Sequence, residues 1–188
     1  MQKIEIELKF ELDNKNELIS KLNKMAEFVT ETDERDTYYV PAHKNFLSVY
    51  PVREWLRIRK TGDKVQLNYK DWHHTKTCKA ISCDELESDV SDGEAVKSIL
   101  ERLDFKEIVV VDKFRKYWKF KDLIIQIDTV KELGDFLEVE ADKEFSSIDE
   151  AKKYILQVVE ELGVDTSKEV RKGYPFMFLV RDGIVKEE

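Results

Sequence analysis

Charged residues recur at every second position along several short stretches of this chain. Glu5, Glu7 and Lys9 alternate with Ile4, Ile6, Leu8 and Phe10; Arg57 and Arg59 flank Ile58; Lys70 continues the line of Gln66 and Asn68. Glu85 and Glu87 flank Leu86, Lys113 and Arg115 flank Phe114, Asp128 shares a line with Gln126, and Glu138 and Glu140 flank Val139. Residues two apart on a strand point to the same side, so the members of each pair project together. Paired carboxylates offer oxygen ligands to hard ions such as Mg²⁺ or Mn²⁺, which keep phosphate oxygens and water as their other ligands. Arginine takes phosphate oxygens by bidentate contacts and lysine as a point charge. A mixture of both signs on strand faces therefore suits a metal–polyphosphate complex. Any one pair alone is also what a solvated antiparallel sheet presents to water; recurrence along most of the strands expected below favours a site.

Strands must position these side chains, and alternation with β-branched or aromatic enrichment places them at about 3–12, 35–40, 54–60, 64–71, 79–90, 107–119, 122–130 and 135–144. Thr61-Gly62-Asp63 and Lys121-Asp122 are short turn signals, which favour antiparallel hairpins. Three amphipathic helices follow capping patterns at Asn14-x-x-Glu17, Ser91-x-x-Glu94 and Ser147-x-x-Glu150, the last ending at Gly163. Their apolar stripes need an apolar sheet surface, which on these strands is the side opposite the charges. The expected fold is α+β: an eight-stranded antiparallel closed β-barrel, a tunnel with a charged lumen, with amphipathic helices packed on the outside. Buried charges are tolerated only when they nearly cancel or a ligand completes them. From Asp165 to Glu188 a short helix or an edge segment is expected, because Pro175 argues against a central strand.

Composition narrows the function further. At 188 residues a single domain spanning 1–188 is expected. A formal net charge of −8 argues against a nucleic-acid partner, whose phosphates need a basic field. No apolar stretch is long enough to span a bilayer, so no membrane partner and a cytoplasmic location are expected. Cys78 and Cys83 lack a second pair for zinc, and His43, His73 and His74 read as solvated loop residues without metal-ligand or triad spacing.

Taken in order, these stretches resemble the CYTH superfamily of triphosphate tunnel metalloenzymes, which includes class IV adenylyl cyclases and thiamine triphosphatases. Glu5-Ile6-Glu7-Leu8-Lys9 is similar to its N-terminal ExExK signature. Asp36-Thr37-Tyr38-Tyr39, Leu56-Arg57-Ile58-Arg59, Asp84-Glu85-Leu86-Glu87, Val111-Asp112-Lys113-Phe114-Arg115, and Asp128 with Leu133-Gly134-Asp135-Phe136-Leu137-Glu138-Val139-Glu140 follow in the family's order. The resemblance implies that Glu5, Glu7, Asp128, Glu138 and Glu140 hold Mg²⁺ or Mn²⁺ and act through it. It also implies that Lys9, Arg57, Arg59, Lys70, Lys113 and Arg115 bind substrate phosphates. Glu85 and Glu87 belong to the lumen without a fixed role. Trp55 shares the Arg57 side, where it either stacks on an adenine or thiamine ring or packs at the tunnel mouth.

The motif run is most similar to the class IV cyclase branch, in which the ribose 3′-hydroxyl of ATP attacks the α-phosphorus and pyrophosphate leaves. The alternative is a thiamine triphosphatase or inorganic triphosphatase, in which water attacks the terminal phosphorus; a tryptophan before Arg-x-Arg resembles the thiamine branch. A non-catalytic polyphosphate- or nucleotide-binding module is the remaining reading. The implied partner is a small-molecule triphosphate (ATP, thiamine triphosphate or tripolyphosphate), bound by a monomer or homodimer.

Overall fold

The structure is a computed structural model that describes residues 6–74 and 80–186. It contains one eight-stranded antiparallel sheet: β1 (Glu7–Glu11), β2 (Glu27–Pro41), β3 (Glu54–Thr61), β4 (Lys64–His74), β5 (Ala80–Val90), β6 (Phe105–Phe120), β7 (Leu123–Val130) and β8 (Gly134–Ala141). Hydrogen-bonded neighbours run in the order β1-β8-β7-β6-β2-β3-β4-β5. Four α-helices accompany the sheet: α1 (Lys15–Met25), α2 (Gly93–Arg102), α3 (Ile148–Leu162) and α4 (Tyr174–Arg181). Backbone proximity divides the chain into two compact units. One contains Glu34–Asp112 and Lys172–Glu188, the other Glu5–Asp33 and Lys113–Arg171.

In the second unit, α1 and α3 cover the apolar side of the strands. Leu18 and Leu22 of α1 and Ile155, Val158, Val159 and Leu162 of α3 join Leu8, Phe10, Trp118, Ile125, Leu137 and Val139 in one buried cluster. Every strand residue in that set alternates with a polar or charged neighbour, as a sheet with one apolar side requires. Asn14 caps α1 by accepting from the Glu17 N–H, and Ser147 caps α3 by accepting from the Glu150 N–H. Gly163 ends α3 at φ 80°, the left-handed conformation glycine adopts without steric cost. The β7–β8 turn is fastened to α1 by Lys15, whose Nζ donates to Thr129 Oγ1 at 2.6 Å and Asp135 Oδ1 at 2.7 Å. Gly134, at φ 117°, supplies the backbone conformation this turn needs.

The first unit repeats the scheme with α2. Leu100 packs with Tyr39 and Ile58, joined by the partly buried Leu56, Val65, Leu67, Val96 and Phe105. Asp92 caps α2 through a 2.9 Å bond from the Ala95 N–H. The expected cap, Ser91, lies one residue too early, because Asp92 offers the better placed carboxylate to the first turn. The C-terminal tail forms α4, burying Tyr174, Pro175, Phe176, Phe178 and Leu179, with Pro175 in the first turn where its missing N–H costs nothing.

The sequence-based expectations differ from the strands in two places. β2 starts at Glu27 and not near 35; its first residues, Glu27 to Glu31, are exposed and carry no apolar alternation that would mark a strand. His73 and His74 lie in β4 and not in a loop; a ring nitrogen of His73 is 2.8 Å from Asp84. Cys83 is buried, and Cys78 lies outside the described residues.

The packing makes a direct prediction. Leu22→Ala should destabilise the protein by about 2–5 kcal/mol, the usual cost of truncating a fully buried leucine. Leu86→Ala, at a side chain 64% exposed, should fall within about 0.5 kcal/mol of wild type in the same urea titration. Equal effects would contradict the burial pattern.

Candidate functional site

Each unit carries a charged sheet face opposite its apolar core. In the second unit, strand register sets the pairs. Lys9 of β1 is directly opposite Glu138 of β8, and Glu7 is opposite Glu140. Gln126 of β7 is opposite Glu138 on one side and Tyr117 of β6 on the other, while Asp128 is opposite Arg115. Lys9, Lys113, Arg115, Gln126, Asp128 and Glu138 are all buried, Asp128 completely.

Such burial is affordable only because the charges are paired. Arg115 Nε donates to Asp128 Oδ1 at 2.5 Å, and Arg115 Nη2 bonds both Asp128 and Glu138. Lys9 Nζ lies 2.9 Å from Glu138 Oε1, and Lys113 Nζ lies 4.0 Å from Asp128 Oδ2. Burial alone would push the Glu138 carboxyl up; Arg115, Lys9 and Lys113 outweigh it and hold the group well below the usual carboxylate range. Burial likewise opposes the charge on Arg115, but Glu138 and Asp128 reverse the balance and raise its pKa.

The first unit uses the same device with the charges arranged differently. Asp36 of β2 is directly opposite Arg59 of β3, Tyr38 opposite Arg57, and Arg57 opposite Asn68 of β4. Lys70 is opposite Trp55 on β3 and Glu85 on β5, and Asn68 is opposite Glu87. Asp36 receives Arg59 Nε at 2.6 Å, Arg59 Nη2 at 2.7 Å and Arg57 Nη1 at 3.0 Å. Glu34 adds a second carboxylate, its Oε2 3.3 Å from Arg59 Nη2. Lys70 Nζ is 3.4 Å from Glu85, and Asn68 Nδ2 donates to Glu85 at 2.5 Å and Glu87 at 3.4 Å. Desolvation works against the Glu85 carboxylate, yet Lys70 and Asn68 hold its pKa below the usual value. Glu87 is exposed.

Trp55 is half-buried and meets Tyr38 edge-to-face, with ring centroids 5.7 Å apart. Arg57 Nη1 also donates to the Tyr38 hydroxyl at 3.3 Å, whereas the buried Arg57 Nε–H has no hydrogen-bond partner among the described residues. A buried donor left without an acceptor costs free energy, which an incoming acceptor would recover.

Sequence reasoning gathered all of these charges into one lumen; the structure carries Glu7, Lys9, Lys113, Arg115, Asp128, Glu138 and Glu140 on strands of the second unit, and Trp55, Arg57, Arg59, Lys70, Glu85 and Glu87 on strands of the first. Glu5 lies outside the described residues. Asp36, Glu34, Asn68 and Gln126 were not singled out as site residues, although Glu34, Asp36 and Tyr38 share the period of two that marked the others. Among the described residues, no group of three or more His, Cys, Asp or Glu side chains is gathered around a point that could hold a metal ion. The donor chemistry nevertheless suits a hard divalent cation: Glu7 and Glu140 are directly opposite each other on adjacent strands and offer carboxylate oxygens. The oxygens of Asp128 and Glu138 are already engaged by Arg115 and Lys9.

The sequence matches the model of the CYTH domain over residues 3–174. A protein of Methanocaldococcus jannaschii described as "Putative adenylate cyclase" is 30% identical over 175 residues, covering 91% of this chain and 96% of that protein. The solved structure of the PH1819 protein from Pyrococcus horikoshii shares 30% identity and superposes with a TM-score of 0.79, covering 94% of this chain and 99% of the other. A Hippeastrum protein, titled a putative adenylyl cyclase with a dominant triphosphatase activity, shares the fold at a TM-score of 0.67 and 18% identity, with 97% and 96% of the two chains covered.

Arg115→Ala leaves Asp128 and Glu138 buried without their guanidinium, so it should cost about 3–5 kcal/mol of stability. Arg35→Ala removes an exposed pair with Asp112 and should cost less than about 1 kcal/mol. Chemical denaturation without added metal compares them, and equal losses would show that the buried network is not holding the strands.

Proposed function

Because the chain belongs to the CYTH domain family, we propose that it is a divalent-metal-dependent enzyme acting on a triphosphate, and first an adenylyl cyclase that converts ATP to cyclic AMP and pyrophosphate. The observation that carries this reading is the burial of arginine and lysine on sheet faces, fixed by carboxylates, with one buried Arg57 N–H lacking a protein acceptor. In this reading Lys9, Arg57, Arg59, Lys70, Lys113 and Arg115 take phosphate oxygens. Glu5, Glu7, Glu138 and Glu140, with Asp128, hold Mg²⁺ or Mn²⁺. The bound cation supplies charge neutralisation and Lewis acidity at phosphoryl oxygens.

The chain's own residues contribute preorganisation. Phosphoryl and nucleotidyl transfer depend on in-line positioning and on stabilising charge that develops on oxygen. Arg115 and Arg59 are fixed by two carboxylates each, so their remaining N–H groups keep a constant direction while substrate charge shifts. Trp55, beside Arg57, supplies an aromatic surface for a base or a thiazolium–pyrimidine moiety.

Cyclisation is favoured over hydrolysis by the name of the archaeal relative, "Putative adenylate cyclase", at 30% identity over nearly the whole chain. Hydrolysis of the terminal phosphate, of thiamine triphosphate or tripolyphosphate, is the second reading. It is supported by Trp55 before Arg-x-Arg and by the fold shared with the Hippeastrum protein.

Product analysis separates these. The protein is incubated with ATP, thiamine triphosphate and tripolyphosphate, each with Mg²⁺ or Mn²⁺. Cyclic AMP with pyrophosphate is expected from ATP; orthophosphate with a diphosphate would favour hydrolysis. Thermal stabilisation by triphosphate without any product would leave only a binding module. Glu7→Gln and Glu138→Gln should each lower metal-dependent turnover by at least about 100-fold, the scale of losing a group that acts on transition-state charge. Wild-type rates in both would remove these carboxylates from the site.

A further inference from the structure

We propose that Asp36 is a positioning residue that presets Arg57 and Arg59 for a phosphate-bearing ligand; the assignment rests on the triphosphate reading above. Asp36 is only 1% exposed, and a single carboxylate of this kind holds two guanidinium groups. Arg59 presents its Nε and Nη2 donors to the two carboxylate oxygens as a fork, and Arg57 adds Nη1 to Oδ2.

The register explains how one residue reaches both. Asp36 is directly opposite Arg59, and Arg57 lies two residues along the same side of β3, opposite Tyr38. Tyr38 supplies a second acceptor for Arg57 Nη1. A guanidinium has five N–H donors in a rigid plane, so bonding one edge to Asp36 fixes the direction of the others. Arg57 Nε, buried and without a hydrogen-bond partner among the described residues, belongs to the same rigid plane. Ordering of two long side chains then occurs on folding and not on binding, which favours affinity.

Removing the Asp36 charge has two opposed effects. It leaves the face more positive, which by field alone tightens anion binding. It also releases both guanidinium groups, which weakens binding if their placement is what matters. The sign of the change therefore separates a positioning role from a merely electrostatic one. A merely structural role would lower the folded fraction and leave the affinity of the folded protein unchanged.

The experiment is calorimetric titration of the full chain with tripolyphosphate in EDTA, with circular dichroism and thermal melting as folding controls. Asp36→Asn should bind at least about 10-fold more weakly than wild type, the scale of misplacing a binding group. Asp36→Glu, which keeps the charge but moves the carboxylate, should fall between the two. In steady state with the preferred triphosphate, KM should rise by a larger factor than kcat falls. Unchanged or tighter binding by folded Asp36→Asn overturns the proposal. If that variant does not fold, Asp36→Glu carries the test, and wild-type affinity there overturns it. A wild-type protein that binds tripolyphosphate neither in EDTA nor with Mg²⁺ refutes the triphosphate reading itself, and if binding needs Mg²⁺ the variants are compared with it present; wild-type binding retained in both variants refutes only the role of Asp36.

Discussion

Arg115 bonded at once to Asp128 and Glu138 is the interaction on which the second unit's charged face depends. A carboxylate leaves water at a cost of several kcal/mol, and only a counter-ion with good hydrogen-bond geometry offsets it. Asp128 is completely buried, so its position is tolerable because a guanidinium fork covers both of its oxygens. The pairing also constrains the sheet. Arg115 and Asp128 are direct cross-strand partners, as are Lys9 and Glu138, and a slip of one residue would turn every one of these charges into the apolar core. Electrostatics on one side and the α1–α3 packing on the other thus specify the same register.

The first unit meets the same constraint with its signs exchanged. There one buried aspartate holds two arginines, where in the second unit one arginine holds two carboxylates. Both arrangements leave a planar guanidinium with fixed orientation, and both place it on the side of the strand opposite a helix-covered apolar surface. Period-two alternation makes this possible without any special loop.

That alternation is also why so much was legible in the sequence. Leu8 and Phe10 between Glu7, Lys9 and Glu11, or Ile58 between Arg57 and Arg59, declare both a strand and its two sides. Caps at Asn14 and Ser147 and the stop at Gly163 are local chemistry and were legible for the same reason. The first half of β2 was not, because in Glu27–Asp33 the apolar Phe28 and Val29 are adjacent and fall on opposite sides, so no alternation marks the strand, whose state comes from pairing with a neighbour. Asp36 was visible as part of a motif, but its partners Arg57 and Arg59 are more than twenty residues away, and only register brings them together. His73 and His74 look like loop residues because their polarity hides the continuation of β4.

The carboxylates of the second unit are not equivalent, and the difference bears on how a cation would be held. Asp128 has both oxygens engaged by Arg115, and Glu138 by Arg115 and Lys9, so a metal ion there would have to share or displace those contacts. Glu7 and Glu140 sit at the other end of the same strand pair, directly opposite each other. Two like charges at that separation oppose strand pairing unless positive charge lies nearby. On the proposed reading, a divalent ion held by Glu7 and Glu140 would leave the Arg115 network intact. In that division of labour, Glu138 stands between the two groups, two residues from Glu140 and bonded to both Lys9 and Arg115. On the proposed reading, a shift of Glu138 toward a bound cation would loosen its hold on Lys9 and Arg115, which would couple cation and phosphate occupancy through this one side chain.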